Sequence, residues 1–274
     1  MAKQVIKIEG GHRLNGTVHI SGAKNATVAL IPAAVMAEGP VTIVGVPDIE
    51  DVKNLTDILH LMNVDTMFKE PDHIVIDPTK MKNVVLDSPA VTKLRASYYF
   101  MGALLGKYKR VRIRMPGGCY LGPRPIDLHL KGFEALGAKV KIKGDLYTID
   151  AEELNGANIT LDFASVGATI NIMLAAVKAK GKTIIKNAAR EAEIVNIATF
   201  LNNMGAKISG AGTSVIRIEG VEYLHRAMIE VIPDRIEAAT YIILGSMIGD
   251  NLKIDNIIPE HIDAVLSKLS DMNI

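Results

Sequence analysis

Residues 158–186 read N-I-T-L-D-F-A-S-V-G-A-T-I-N-I-M-L-A-A-V-K-A-K-G-K-T-I-I-K. A short β-branched run leads through a turn into a long apolar run, which ends near Gly181 and is followed by a second β-rich run. This order predicts a strand, a helix and a second strand. A second helix that closes at Met204-Gly205 and an alternating segment at 207–219 extend the predicted pattern to βαβαββ.

The same order recurs four times along the chain. Its first runs are residues 17–20, 83–86, 158–161 and 228–231, and its second β-rich runs are 41–44, 111–114, 183–186 and 252–255. The first helices are expected to end at Gly39, Gly106, Gly181 and Gly249, and the second helices at Met62-Asn63, Leu136-Gly137, Met204-Gly205 and Met272-Asn273. Gly and Asn tolerate the left-handed backbone that follows a helix. The second set of helix ends is 74, 68 and 68 residues apart, and such a period predicts a repeat fold of the α/β class.

A polar turn within alternating residues follows the second helix in each of the first three copies. The segments are 66–77, 139–150 and 207–219, and each predicts a β-hairpin. The fourth copy reaches Ile274 where its hairpin should begin. We therefore expect that the chain is cut short relative to its parent protein.

Composition limits the classes of function. The 274 residues carry a formal net charge of +1, which gives no reason to expect nucleic acid or an anionic membrane as a partner. A single cysteine excludes an intrachain disulfide and a cysteine-based zinc site, and the seven histidines show no metal-ligand spacing. The longest apolar runs, 28–37 and 241–248, are too short to span a bilayer, and no signal peptide is visible. The sequence predicts a cytoplasmic protein without metal or cofactor.

The second copy contains an enlarged loop, P-G-G-C-Y-L-G-P-R-P at residues 116–125. It is roughly four residues longer than its counterparts in the first and third copies. It holds Cys119, with Arg124 five residues on and a helix expected near Ile126. Positive charge and a helix N-terminus both favour a thiolate, so we predict a reactive thiol. The alternative is a small buried hydrophobe.

The corresponding turns of the other copies hold further candidates. Lys24 and Asn25 open a helix, where a lysine either attracts an anion or is solvated. Ser165 precedes Val166 and Gly167 in a turn that either holds a phosphate or caps a helix, and capping is the simpler interpretation. Arg95 lies in a helix and is by itself typical of a surface residue, and Asp234 is a candidate N-cap.

Several motifs together resemble one known family. They are G-G-H-R-L-N-G-T-V-H-I-S-G-A-K-N-A, V-P-D-I-E-D-V, K-L-R-A-S, P-G-G-C-Y-L-G-P-R-P-I-D-L-H-L-K-G-F-E-A-L-G-A, S-V-G-A-T-I-N-I-M, N-A-A-R-E-A-E-I-V and P-D-R-I-E-A, in order from Gly10 to Ala238. The chain is similar to the UDP-N-acetylglucosamine enolpyruvyl transferases (1-carboxyvinyltransferases) of bacterial peptidoglycan synthesis, whose members extend well past residue 274.

The resemblance implies a two-lobed inside-out α/β barrel in which each lobe contains three βαβαββ units of about 70 residues. Residues 23–232 would form one complete three-repeat lobe that carries the cysteine loop. Residues 1–22 and 233–274 would form part of an incomplete second lobe, whose missing C-terminal part is then a partner of this chain.

The implied reaction moves the enolpyruvyl group of phosphoenolpyruvate to the 3-hydroxyl of UDP-N-acetylglucosamine and releases phosphate. Cys119 would be the catalytic general acid and the target of the antibiotic fosfomycin, and Lys24, Asn25 and Arg124 would bind phosphoenolpyruvate. The residues expected at the UDP-sugar are Asn25, Arg95, Arg124, Pro125, Ile126, Asp127, Leu128, His129, Phe163, Ser165, Val166 and Gly167.

Departures from the family pattern qualify this expectation. Phe163 stands where some members have a lysine, and Tyr120 follows the cysteine where smaller residues are common. The family's catalytic aspartate and further arginines belong to the second lobe, so we expect this chain alone to be nearly inactive. The alternatives are a 3-phosphoshikimate 1-carboxyvinyltransferase-like enzyme and a non-catalytic nucleotide-sugar-binding fragment.

Overall fold

The computed structural model describes residues 5–115, 117 and 126–274. Its contacts divide the chain into two compact units. The larger unit is Gly22–Ile232, and the smaller combines Met1–Ser21 with Pro233–Ile274.

Strands and helices alternate through both units, which confirms the α/β class. The strands in chain order are β1 (Leu14–His19), β2 (Val41–Val44), β3 (Asp65–Glu70), β4 (His73–Asp77), β5 (Val85–Leu86), β6 (Arg110–Arg114), β7 (Lys139–Lys143), β8 (Leu146–Asp150), β9 (Asn158–Thr160), β10 (Lys182–Lys186), β11 (Lys207–Ser209), β12 (Val215–Glu219), β13 (Met228–Glu230) and β14 (Gly249–Asp255). The helices are α1 (Lys24–Ala34), α2 (Glu50–Leu61), α3 (Pro89–Lys93), α4 (Tyr99–Tyr108), α5 (Asp127–Ala135), α6 (Val166–Ala176), α7 (Ala192–Asn203), α8 (Arg235–Ile248) and α9 (Asp263–Asp271), with 3₁₀ turns at Arg95–Tyr98 and Pro259–His261.

Three four-stranded sheets in the larger unit share one plan. Their strand orders are β13-β2-β4-β3, β5-β6-β8-β7 and β9-β10-β12-β11. In each sheet the first two strands are parallel and the remaining two form an antiparallel hairpin. The three hairpins lie where the alternating segments predicted them.

The first strands of copies one and four exchange sheets. Strand β13 pairs with β2, with Ile229 opposite Ile43, whereas β1 pairs with β14, with Val18 opposite Ile254. The repeat pattern groups residues 17–20 with the first copy and 228–231 with the fourth, so in the structure each run joins the sheet of the other copy. Both runs are short and alternating, so their sequences do not specify which parallel neighbour they join.

Three helices of the larger unit are buried nearly all round. In α1 every residue from Ala26 to Ala34 is buried, and the same holds from Tyr99 to Gly106 in α4 and from Ala168 to Ala176 in α6. By contrast, α2 buries the single face formed by Val52, Leu55, Ile58 and Leu59. A helix that is apolar on all sides needs cover on all sides, so α1, α4 and α6 form the centre of the unit.

The backbones of α4 and α6 approach closely at two glycines. A Cβ on Gly102 would lie 2.3 Å from the carbonyl oxygen of Asn171, and a Cβ on Gly106 would lie 2.9 Å from that of Leu174. The sequence had predicted that the helix ends at Gly106. It instead continues to Tyr108, and Lys109 adopts the left-handed conformation with φ 56°. Gly106 therefore serves helix packing, not helix termination.

The ends of the other helices follow the prediction in part. Asn63, Gly137, Gly205 and Asn273 all have positive φ, as does Gly181. Gly39 and Gly249 do not have positive φ, and α1 already ends at Ala34. Glycine after a helix indicates a turn, but only the local backbone decides whether the turn is left-handed.

The smaller unit contains the β1–β14 pair and helices α8 and α9. Helix α8 is as apolar as the central helices of the larger unit, yet Ala238 is its one fully buried residue. Ile236, Ile243 and Met247 are exposed. Helix α8 packs against β14 and β1 of the same unit, and these three side chains remain exposed.

Replacing Gly102 with alanine should destabilise the larger unit by about 2 kcal/mol or more, because the new methyl group meets the backbone of α6. Alanine normally stabilises a helix relative to glycine by about 1 kcal/mol. Urea unfolding followed by circular dichroism measures the change. Gly245→Ala is the matched control, since its Cβ would lie 3.2 Å from the flexible end of Leu252. An equal gain in stability for both variants would contradict the packing argument.

Candidate functional site

Aromatic and cationic side chains meet at the N-terminus of α6. The rings of Tyr98 and His129 pack edge to face with centroids 5.0 Å apart, and the guanidinium of Arg95 lies 5.7 Å from the Tyr98 ring centre. A Cβ on Gly167 would lie 2.8 Å from Tyr98 Oη and 3.2 Å from His129 Nε2. The absence of a side chain at Gly167 therefore leaves room for these two polar groups beside the helix end.

The helix end itself is suited to an anion. Ser165 caps α6, its Oγ accepting a hydrogen bond from the Ala168 amide at 3.3 Å, which confirms the capping interpretation. The first amides of a helix have no partner within it and carry partial positive charge. Val166 and Gly167 are half-buried at this position, and Arg95 adds a full charge nearby.

His129 is held as a neutral imidazole. It is 5% exposed, and its Nδ1 accepts a hydrogen bond from Asn171 Nδ2 at 2.9 Å. Burial and, to a smaller extent, the Arg95 guanidinium lower the pKa of His129 to about 4, although Asp127 acts in the opposite direction. At neutral pH the ring therefore adds no charge to the site and keeps one N–H.

The remaining predicted residues near α5 and α6 divide between core and surface. Ile126 and Leu128 are 4% and 3% exposed and belong to the apolar core, whereas Asp127 between them is exposed. Phe163 is 60% exposed in the turn before α6. The structure thus groups Arg95, His129 and the 165–167 turn, and places the side chains of Ile126 and Leu128 away from solvent.

Lys24 and Asn25 lie at the N-terminus of α1. Lys24 Nζ forms an ion pair with Asp51 Oδ2 of α2 at 2.8 Å, and Asn25 is exposed. Both residues occupy the helix start that the sequence predicted.

The cysteine loop lies mostly outside the described residues. Cys119, Tyr120, Arg124 and Pro125 are among the residues not described, so their predicted roles stay predictions. Gly117 is described, and a Cβ there would lie 1.7 Å from the carbonyl oxygen of Thr92. The loop therefore begins in close contact with α3, and only glycine fits at that point.

Two residues of the cluster were missed from the sequence. Tyr98 follows Arg95 by three positions, the spacing at which neighbouring side chains of a helical turn meet. Asn171 is the single amide in the buried and largely apolar run T-I-N-I-M. A buried amide needs hydrogen-bond partners, so its presence in that run was a signal for a polar contact inside the core.

The described residues show neither a metal-binding cluster nor a membrane-spanning helix. They contain no group of three His, Cys, Asp or Glu side chains arranged to hold a metal ion. Within them, no helix has both the length and the apolar character needed to cross a bilayer.

The sequence of the chain matches one known protein family. Residues 8–274 match the sequence profile of EPSP synthase (3-phosphoshikimate 1-carboxyvinyltransferase). The chain belongs to the EPSP synthase family. The predicted resemblance to carboxyvinyltransferases is thereby confirmed.

Curated relatives within this family carry a more specific name. The chain is 55% identical over 267 residues to UDP-N-acetylglucosamine 1-carboxyvinyltransferase 2 of Bacillus anthracis, and 56% identical to the protein of the same name in Bacillus subtilis (strain 168). Each alignment covers 97% of this chain. The chain spans 62% of the length of either relative.

Two solved structures share the fold of this chain. The enolpyruvyl transferase NikO from Streptomyces tendae matches with a TM-score of 0.83 at 25% identity, covering 97% of this chain and 63% of that one. EPSP synthase from Acinetobacter baumannii matches with a TM-score of 0.73 at 21% identity, covering 96% and 60%. The second likeness is one of fold alone.

The free energy of unfolding should fall as the pH is lowered from about 6.5 to about 4, because the unfolded chain protonates His129 at the higher value and the folded protein only at the lower one. The loss attributable to this residue is on the order of 3 kcal/mol. Urea titrations at several pH values measure it as the difference between the parent and His129→Gln. The exposed His225→Gln serves as the control and should keep the parental slope; a parental slope in His129→Gln would argue against a buried neutral imidazole.

Proposed function

We propose that the protein transfers the enolpyruvyl group of phosphoenolpyruvate to the 3-hydroxyl of UDP-N-acetylglucosamine and releases phosphate, the first committed step of peptidoglycan precursor synthesis. The observation that carries the proposal is the 55% identity to 1-carboxyvinyltransferases named for this sugar nucleotide, which extends over 97% of the chain. The cluster at the N-terminus of α6 lies within the aligned region.

The geometry of the cluster suits a nucleotide diphosphate. Its phosphates are anionic, and the helix N-terminus, the Arg95 guanidinium and the uncharged N–H of His129 are all donors. Tyr98 offers an aromatic surface and a hydroxyl at the same place. We assign this cluster to the UDP part of the substrate, together with the 165–167 turn and Asp127.

The reaction proposed for the rest of the site is an addition followed by an elimination. The methylene carbon of phosphoenolpyruvate gains a proton as the sugar oxygen, having lost its proton to a base, bonds to the adjacent carbon. The tetrahedral intermediate then loses a proton and expels phosphate, which restores the double bond. By resemblance, Cys119 supplies the first proton, and Lys24, Asn25 and Arg124 hold the phosphoenolpyruvate anion.

The same proposal includes the architecture. We interpret Gly22–Ile232 as one complete lobe of an inside-out α/β barrel, since its apolar helices are central and its three sheets share one plan. The smaller unit is interpreted as part of a second lobe. The proposed substrates are metabolites of the cell interior, so we place the protein in the cytoplasm.

A 3-phosphoshikimate 1-carboxyvinyltransferase activity is the alternative that the family name favours. The identity to the EPSP synthase structures is 20–21%, compared with 55% to the UDP-sugar enzymes. Calorimetry separates the two, because the alternative predicts binding of shikimate 3-phosphate and our proposal predicts binding of UDP-N-acetylglucosamine.

Calorimetry with UDP-N-acetylglucosamine should detect binding to the full chain, and Arg95→Ala should weaken it about tenfold through loss of a charge-assisted contact to phosphate. Arg217→Ala, on a sheet strand of the same unit, is the matched control and should bind like the parent. A parallel phosphate-release assay with phosphoenolpyruvate separates binding from turnover. Absence of UDP-sugar binding by the folded parent would overturn the proposed substrate.

Fosfomycin should add its mass to one residue, Cys119, when incubated with the folded chain. The reason is that a thiolate stabilised by nearby positive charge opens the epoxide. Peptide mass spectrometry locates the adduct, and Cys119→Ser should remain unmodified. A folded parent protein that stays unlabelled would count against a reactive thiol in the loop.

A further inference from the structure

Asn171 joins the centre of the larger unit to the candidate site through hydrogen bonds of both its amide atoms. Its Oδ1 accepts a hydrogen bond from the backbone N–H of Gly102 at 2.8 Å, and its Nδ2 donates to His129 Nδ1 at 2.9 Å. Asn171 is completely buried, and His129 is 5% exposed. Both hydrogen bonds therefore lie away from solvent.

The two hydrogen bonds form a relay from Gly102 through Asn171 to His129, and the backbone fixes which atom donates in each. A peptide N–H can only donate, so the atom of Asn171 that faces Gly102 must be the carbonyl oxygen. The amide nitrogen is then the atom that faces His129. Because an amide nitrogen donates and does not accept, His129 Nδ1 must be unprotonated, and the single proton of the neutral ring resides on Nε2.

The protonated nitrogen is directed to the site. Nε2 lies 3.2 Å from the position that a Gly167 Cβ would occupy, beside the first turn of α6. Within the described residues Nε2 has no hydrogen-bond partner. The Nε2–H group is therefore available to an acceptor on a ligand bound at this position.

We propose that Asn171 is a positioning residue that holds His129 as the Nε2–H tautomer, so that the ring donates one uncharged hydrogen bond to an oxygen of the nucleotide at the N-terminus of α6. The tautomer itself follows from the contacts alone. The role of the donated hydrogen bond rests on the proposed UDP-sugar function.

The tautomer is measured by ¹H–¹⁵N correlation spectra of the full chain labelled with ¹⁵N-histidine, with His129→Gln used to assign the signals. In the parent, Nε2 should be protonated and Nδ1 unprotonated between pH 6 and 8. In Asn171→Asp, a carboxylate faces the ring, and Nδ1 should become protonated. A protonated Nδ1 in the parent, or an unprotonated Nδ1 in Asn171→Asp, would overturn the relay.

Asn196→Asp is the matched control. Asn196 is another buried asparagine, on the neighbouring helix α7, and its side chain donates to the carbonyl oxygen of Glu230 rather than to a histidine. This variant should leave the His129 signals unchanged. The parent spectrum decides the tautomer even where a variant fails to fold.

Calorimetry with UDP-N-acetylglucosamine tests the donated hydrogen bond. The side-chain amide of His129→Gln reaches the position of Nε2 and should keep the dissociation constant within about threefold of the parent, whereas the shorter His129→Asn should weaken binding about tenfold. Equal weakening in both variants would overturn the donor role. If the parent does not bind the nucleotide sugar, the proposed function fails, and the spectra still decide whether Asn171 fixes the tautomer.

Discussion

The close approach of α4 to α6 determines the geometry of much of the larger unit. It depends on Gly102, where the absence of a side chain lets the backbone amide reach the side chain of a residue on the facing helix. That contact orients Asn171, which orients His129, which lies beside Tyr98 and Gly167. Hydrogen bonds thus link a helix-packing contact in the core to the residues beside the turn before α6.

Desolvation explains why the candidate site contains a histidine that adds no charge. An imidazole in this position is buried and lies near a guanidinium, and both conditions disfavour the charged, doubly protonated ring. The positive potential at the end of α6 then comes from the helix and from Arg95. Under the proposed function, separating the charged group from the neutral donor lets the cluster bind an anion without burying two cations together.

Much of the fold was predictable from the sequence because the repeat constrains it. The hairpins at 66–77, 139–150 and 207–219 follow from alternation, and the left-handed residues at Asn63, Gly137 and Gly205 follow from residue type. The exchange of β1 and β13 does not follow from the repeat, since pairing between parallel strands depends on tertiary contacts. Only the family resemblance separates residues 1–22 from residues 23–232. Arg95 and His129 were found through family resemblance, whereas Tyr98 and Asn171 were missed because their roles depend on which helices meet.

The exchanged strand has a consequence for how the larger unit is built into the chain. Its two ends are neighbours: the amide of Ala23 donates to the carbonyl oxygen of Ile232 at 2.7 Å, while β13 completes the sheet that β2 begins. The N- and C-terminal ends of this segment are therefore adjacent in space. Such a segment can enter a host chain between two adjacent residues, and new termini can be cut elsewhere in it without loss of any sheet. Circular permutation and evolution by insertion are therefore both compatible with this arrangement of strands.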